Sequence, residues 1–140
     1  IGALDFNTEL DLLKFVRTEF TSSDIEIRVD ANGAFSADNA LEKLKYLSDF
    51  DLHSIEQPIK QGQLNAMAEL CSKSPLPIAL DEELIGITTI QSKIELFKFY
   101  FNSLKPSFFY NHFFFTKYFT IADPIKPLPP VTKILFFIFF

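Results

Sequence analysis

The sequence predicts an α/β fold built around a parallel β-sheet. Short apolar stretches with the composition of strands lie at residues 25–29, 52–55 and 76–80. Stretches with the apolar spacing of helices precede and separate them. Strands and helices that alternate in this way form right-handed crossovers, which place successive strands parallel in one sheet. We therefore expect residues 1–96 to form a folded α/β unit.

Three helices are predicted within this unit, each with an apolar stripe. The first has Asn7 or Thr8 as its cap, the second begins at Ser36, and the third begins near Gly62. The stripes should face the sheet, and they consist of Leu10, Leu13, Val16 and Phe20 in the first helix, Ala40, Leu41, Leu44 and Leu47 in the second, and Leu64, Met67, Ala68 and Cys71 in the third.

Charge and cysteine content exclude some classes of function. The 140 residues carry a net charge of -5, whereas a nucleic-acid surface needs clustered Lys and Arg to neutralise phosphates. The single cysteine, Cys71, cannot form an internal disulfide, and no secretory leader is visible, so a cytoplasmic location is expected. On its apolar stripe, Cys71 is expected to be a small buried hydrophobic residue.

The amino-acid composition changes at about residue 97. Residues 97–140 are rich in Phe, lack Gly and contain the segment DPIKPLPP, which would interrupt a helix or a central strand. We expect this tail to be irregular and out of the native reading frame, because Phe, Lys, Asn, Tyr and Ile all have AT-rich codons. The alternative is a genuine hydrophobic segment that binds a partner or a membrane surface, although ILFFIFF is too short to span a bilayer.

Each apolar strand stretch ends at a carboxylate. These residues are Asp30, Glu56 and Asp81, and they recur at an interval of about 25 residues, the length of one βα repeat. In a parallel sheet or a (β/α)8 barrel, residues just past the carboxyl ends of neighbouring strands meet at one rim, where active sites form. Three adjacent carboxylates repel one another, so a hard cation, Mg²⁺ or else Mn²⁺, is expected between them.

A structural explanation of these acids remains open. Acidic residues are common in loops that begin helices, where they cap the helix and oppose its dipole.

Two histidines are weaker candidates: His53 precedes Glu56 and is expected to be a structural residue of the strand, and no function is assigned to His112.

The residues beside the three acids carry a family resemblance. The motifs Asp30-Ala-Asn32, Glu56-Gln-Pro58 and Asp81-Glu82 resemble those of the enolase superfamily, in its muconate-lactonizing branch. The resemblance implies a fragment of a (β/α)8 TIM barrel of the enolase C-terminal type, covering roughly its third to fifth βα units. It also implies that Asp30, Glu56 and Asp81 bind Mg²⁺ and that Asn32 and Glu82 support these ligands.

The resemblance further implies a lyase or isomerase that acts on a small carboxylate substrate. In this branch the metal stabilises an enediolate and lysines move the protons. The likeness is greatest to a dehydratase of menaquinone biosynthesis; dipeptide epimerases, N-acylamino acid racemases and cycloisomerases are the alternatives. A lysine pair would directly precede Ile1, so the chain is expected to begin just after it.

A second lysine would end the sixth strand of such a barrel. Lys105, in SLKPS, is the candidate, and it would contact the substrate through a cation–π interaction. The alternative is a solvated lysine in irregular chain, because FFYNHFFF stands where a Gly-rich loop is expected. A further alternative is that the chain is no working enzyme but a truncated product or a metal-binding module.

Overall fold

The structure, a computed structural model, describes residues 1–102 and 134–138. Within these ranges the chain alternates between helices and strands as the sequence predicts. In chain order the elements are α1 (Phe6–Glu19), β1 (Ile25–Asp30), α2 (Ala37–Leu47), β2 (Ser54–Glu56), α3 (Leu64–Lys73), β3 (Ile78–Ala79), α4 (Ile90–Asn102) and β4 (Ile134–Ile138). Single 3₁₀ turns lie at Ser48–Phe50 and Glu82–Leu84.

The described strands form one parallel sheet in the order β3-β2-β1-β4. From β1 to β3 the chain moves across the sheet by one strand at a time, and a helix fills each connection. Strands that advance in a single direction, with their helices on one side, build the wall of a barrel. The predicted α/β fold with parallel strands is therefore confirmed.

The helices cover one face of the sheet. Ile25, Ile27 and Val29 alternate along β1 and are at most 4% exposed. They belong to a core cluster that also contains Leu13 of α1 and Leu44 of α2. Because successive strand residues point to opposite faces, the other residues of β1 lie on the face away from this core.

The predicted starts of the helices are only partly correct. The cap of α1 is Asp5, whose carboxylate accepts a hydrogen bond from the N–H of Thr8 (3.1 Å), so the predicted cap at Asn7 or Thr8 was wrong. Asp5 is the cap because its carboxylate oxygen reaches a backbone N–H in the first turn of the helix. The cap at Ser36 is confirmed, and the N–H of Ser36 donates to Oδ1 of Asn39 (3.1 Å).

Two members of the predicted apolar stripes are exposed. Phe20 is 46% exposed and Leu64 is 42% exposed. Phe20 follows the last residue of α1 and has extended backbone angles, so its side chain leaves the helical stripe. Leu64 is the first residue of α3, where the helix has just begun to approach the sheet. Helical spacing therefore fails at the ends of these helices.

Part of the Phe-rich tail has regular structure. Helix α4 continues through the predicted boundary at residue 96 as far as Asn102, and Ile134–Ile138 forms β4 beside β1. Both segments differ from the irregular structure that we expected, while the proposed division into residues 1–96 and 97–140, and the loss of reading frame, stay predictions. Among the described residues, no helix has the length and apolar character needed to cross a membrane.

Candidate active site

The fold brings the carboxyl ends of the first three strands to one rim. Asp30 ends β1, Glu56 ends β2, and the two residues are direct partners in the strand pairing. Glu56 in turn pairs with Ala79 of β3, and Asp81 follows two residues later. Because paired residues of neighbouring strands point to the same face, Ala79 shares a face with Glu56, whereas Asp81 lies past the end of β3 and precedes a 3₁₀ turn. The three acids therefore lie at the carboxyl ends of three adjacent strands.

The turn after β1 holds the carboxylate of Asp30. Oδ1 of Asp30 accepts a hydrogen bond from the backbone N–H of Asn32 at 2.8 Å. Asn32 adopts a left-handed conformation (φ 46°), which Asn tolerates better than most residues. The main chain of Asn32 thus holds the carboxylate of Asp30, while the role of Asn32 beside a bound metal stays a prediction.

Gly33 brings this turn close to the loop that follows β2. Its φ is +69°, and an added Cβ would lie 2.9 Å from Cα of Lys60. The N–H of Gly33 donates to the carbonyl oxygen of Gln57 at 2.7 Å. A side chain at position 33 would force apart the two loops that carry Asp30 and Glu56.

Two further backbone hydrogen bonds join the same loops. The N–H of Ala31 donates to the carbonyl oxygen of Glu56 (3.0 Å), and the N–H of Phe35 donates to that of Pro58 (3.0 Å). The chain segments therefore stay paired beyond the ends of β1 and β2. This pairing fixes the position of Asp30 relative to Glu56.

A buried glutamine joins the ends of β2 and β3. Oε1 of Gln57 accepts from the N–H groups of Asp81 (3.3 Å) and Glu83 (3.4 Å), and Nε2 donates to the carbonyl oxygen of Ile59 (2.9 Å). In the opposite direction, Oε1 of Glu83 accepts from the N–H of Gly62 at 3.0 Å. Our sequence analysis assigned no role to Gln57 or Glu83, and the only sequence signal is the place of Gln57 between Glu56 and Pro58.

A second buried carboxylate that the sequence analysis missed is Glu9 of α1. Its side chain is fully buried, and Oε1 accepts from the N–H groups of Gly2, Ala3 (3.1 Å) and Leu4 (3.2 Å). These bonds anchor the segment before α1 near the rim. In the sequence, Glu9 is indistinguishable from the solvent-facing acids of an amphipathic helix.

Negative charge accumulates at the rim around Glu82. Burial raises the pKa of Glu82, and the carboxylates of Asp30, Asp81 and Glu83 raise it further. Oε2 of Glu82 is buried and has no hydrogen-bond partner among the described residues. The donors are all oxygen atoms, which Mg²⁺ prefers, and a cation would relieve their repulsion.

The carboxylates are near one another but do not form a closed metal cage. Within residues 1–102 and 134–138, no three His, Cys, Asp or Glu side chains are arranged so that they could hold a metal ion. The chemistry of the donors therefore fits a hard cation, while the assignment of Asp30, Glu56 and Asp81 as its ligands, with Glu82 in support, stays a prediction.

Two of the remaining candidates, His53 and Cys71, lie within the described residues. Nδ1 of His53 lies 3.0 Å from Oγ of Ser54, and burial, followed by the charge of Arg28, lowers its pKa. Cys71 is buried and burial raises its pKa to about 12, so it is a packed thiol as expected. Lys105 and His112 lie outside the described residues.

Known proteins share both the sequence and the fold of this chain. Residues 1–97 match the family described as enolase C-terminal domain-like. The chain is 54% identical over 109 residues to o-succinylbenzoate synthase of Desulfotalea psychrophila, a match that covers 76% of this chain and 30% of that protein. It is 35% identical over 93 residues to L-Ala-D/L-Glu epimerase of Francisella tularensis subsp. novicida, covering 65% of this chain and 26% of the epimerase. The chain thus spans less than a third of the length of these relatives.

Solved structures agree with these matches. The crystal structure of MenC from Desulfotalea psychrophila has a TM-score of 0.62 and 58% identity, covering 66% of this chain and 26% of that one. A racemase from Streptomyces coelicolor, solved with bound magnesium, has a TM-score of 0.62 and 28% identity, covering 74% and 28% of the two chains. Such matches confirm both the resemblance seen in the three acid motifs and the prediction of a barrel fragment. The chain belongs to the enolase C-terminal domain-like family.

Proposed function

We propose that this chain is the part of an o-succinylbenzoate synthase that carries its metal-binding acids. The observation that carries the proposal is the placement of Asp30, Glu56 and Asp81 at the ends of three adjacent parallel strands. Sequence identity supports the substrate class. The chain is 54% identical to the synthase of Desulfotalea psychrophila, but 35% identical to an epimerase and 38% identical to N-succinylamino acid racemase of Thermus thermophilus.

The proposed reaction removes water from a cyclic carboxylate to form an aromatic product. Asp30, Glu56 and Asp81 would hold Mg²⁺, or Mn²⁺ in its place, and Glu82 would complete the acidic surroundings. A bound Mg²⁺ would supply positive charge that stabilises the anion formed when a carbon next to the substrate carboxylate loses its proton. The Asn32 N–H orients Asp30 for this task. Lys105 is proposed to contact the substrate by a cation–π interaction.

The cellular context is also part of the proposal. A synthase of this kind would act in menaquinone biosynthesis in the cytoplasm, with a small carboxylate as substrate and neither nucleic acid nor membrane as partner. The second candidate function is epimerisation or racemisation of an amino-acid derivative. It is favoured by the epimerase and racemase relatives, because the same acids could stabilise a similar anion.

A pair of chimeric proteins tests the proposal. Residues 1–97 of this chain replace the matching segment of the Desulfotalea psychrophila synthase in one chimera, and of the Francisella epimerase in the other. We expect Mg²⁺-dependent dehydration in the synthase chimera and little epimerisation in the epimerase chimera. Activity in the epimerase chimera alone would favour the second candidate. Two folded but inactive chimeras would show that the segment is a non-catalytic remnant.

The 140-residue chain alone is expected to be inactive. It covers 30% of the length of the synthase relative, and its β3 lies at an edge of the sheet formed by the described strands. Activity in this branch requires further catalytic lysines and a closed barrel, as the resemblance implies. Turnover of the synthase substrate by the purified chain, above a control with Mg²⁺ only, would contradict this expectation.

A further inference from the structure

The side chain of Gln57 is buried between two loops, which is unusual for an amide. It is fully buried, and its backbone is left-handed (φ 38°), a conformation that costs energy for residues other than Gly and Asn. A buried amide is tolerated only when its polar atoms are paired. Gln57 meets this condition through its hydrogen bonds to Asp81, Glu83 and Ile59.

These bonds occur where backbone pairing stops. Strands β2 and β3 pair at only two positions, and the N–H of Gln57 then donates to the carbonyl oxygen of Ala79 (3.0 Å). Asp81 lies two residues beyond that point. The loops after β1 and β2, in contrast, continue to pair through main-chain bonds as far as Phe35. The position of Asp81 relative to Glu56 therefore depends on a side chain, and the position of Asp30 does not.

We propose that Gln57 is a positioning residue that sets the distance between the carboxylates of Glu56 and Asp81. Its backbone follows Glu56 directly, and its amide oxygen binds the N–H of Asp81, so one residue joins the two acids. Gln57 acts through these neighbours and does not touch the substrate. The consequence for cation binding rests on the proposed function, whereas the link between the two strand ends can be measured without any metal.

The test uses the 140-residue chain and three variants. Gln57→Met has nearly the same volume but cannot accept a hydrogen bond from Asp81 or Glu83. Gln57→Glu keeps an acceptor oxygen for the N–H groups of Asp81 and Glu83, but it loses the donor to the carbonyl oxygen of Ile59. Gln63→Met is the matched control, because Gln63 is exposed and its amide reaches only the carbonyl oxygen of Lys60 (3.1 Å). Each variant is first compared with the wild type by melting temperature, so that exchange and binding are measured under conditions where all are folded.

The first measurement is hydrogen exchange at the amides of Asp81 and Glu83. We expect about threefold faster exchange in Gln57→Met, because the two lost bonds are long (3.3 and 3.4 Å) and share one acceptor, so their effect lies at the low end of the usual range. Exchange in Gln57→Glu should be slower than in Gln57→Met, because an acceptor oxygen is retained, and Gln63→Met should stay close to the wild type. Unchanged exchange in Gln57→Met would overturn the inference.

The second measurement is Mn²⁺ binding, followed by electron paramagnetic resonance. We expect the dissociation constant to rise roughly tenfold in Gln57→Met and to stay at the wild-type value in Gln63→Met. Faster exchange with unchanged Mn²⁺ affinity would reduce Gln57 to a structural role and overturn the positioning claim. If the wild-type chain does not bind Mn²⁺, the proposed function fails in this chain, and exchange alone decides whether Gln57 joins the two strand ends.

Discussion

The two faces of β1 differ in almost every physical property. On one face, Ile25, Ile27 and Val29 are buried against the helices. On the other face, Arg28 and Glu26 form an ion pair at 2.8 Å, and Asp30 follows at the rim. A single strand of six residues thus carries part of the core and a candidate ligand.

The difference teaches that stability and function can be separated in this fold. Apolar side chains facing the helices supply most of the burial, and burial is the main favourable term in folding. The acids at the rim cost stability through mutual repulsion, and this repulsion suits them to bind a cation. Substitutions on the two faces should therefore affect different measurements.

The largest effect is expected from the acids of the polar face. In the synthase chimera, Asp30→Asn, Glu56→Gln or Asp81→Asn should each reduce turnover at least about 1,000-fold, because each would remove a charged ligand from the proposed metal site. The free energy of unfolding should change by less than about 1 kcal/mol. Asp11→Asn, an exposed acid of α1, is the control. Near-normal activity of any one of the three acid variants in limiting Mg²⁺ would remove the substituted acid from the set of ligands.

The apolar face should respond in the opposite way. Leu13→Ala should lower the free energy of unfolding by about 2–5 kcal/mol, because Leu13 is fully buried and its truncation leaves a cavity. Its neighbour Leu12 is 36% exposed, and Leu12→Ala should cost less than about 1 kcal/mol. Urea denaturation of the 140-residue chain measures both values. Equal losses in the two variants would mean that α1 does not pack as described.

A third prediction concerns the turn after β1, which contains Gly33. Gly33→Ala should cost about 3 kcal/mol, because the new Cβ combines left-handed strain with contact against the backbone of Lys60. Gly62 has φ +83° but no heavy atom within 4 Å of the corresponding Cβ, so Gly62→Ala should cost only about 1 kcal/mol. The comparison again uses urea denaturation. A similar cost at both positions would argue against the close approach of the two loops.

The smallest effect at neutral pH is expected from Cys71 on the helical side, because its thiol affects stability only at high pH. Burial raises the pKa of its thiol from 9.0 to about 12, so only the unfolded chain ionises between these values. The free energy of unfolding should therefore fall above pH 9, by up to about 1.4 kcal/mol per pH unit, from this residue. Cys71→Ala should show a shallower decline over the same range. Identical slopes in the two proteins would contradict the assigned burial of the thiol.

Sequence patterns predicted the elements better than their ends. The alternation in β1 and the stripe of α2 depend on local periodicity, which burial enforces along a whole element. The cap of α1 was missed because Asp5, Asn7 and Thr8 are all good caps, and only backbone geometry selects among them. Helix α4 (Ile90–Asn102) was not predicted, because its Phe-rich end resembles the tail that follows.

The acids were predictable, whereas the buried glutamine that links two of them was not. Asp30, Glu56 and Asp81 could be found because each ends an apolar stretch at a regular interval. The bonds from Gln57 to Asp81 and Glu83 join residues 24 and 26 positions apart, and no periodic signal marks such a pair. The amino-acid order alone established the α/β alternation, the buried face of each element and the acids at the strand ends, because these depend on local spacing. Which polar side chains are buried, as with Gln57 and Glu9, followed from packing, because their partners come together only when the strands assemble.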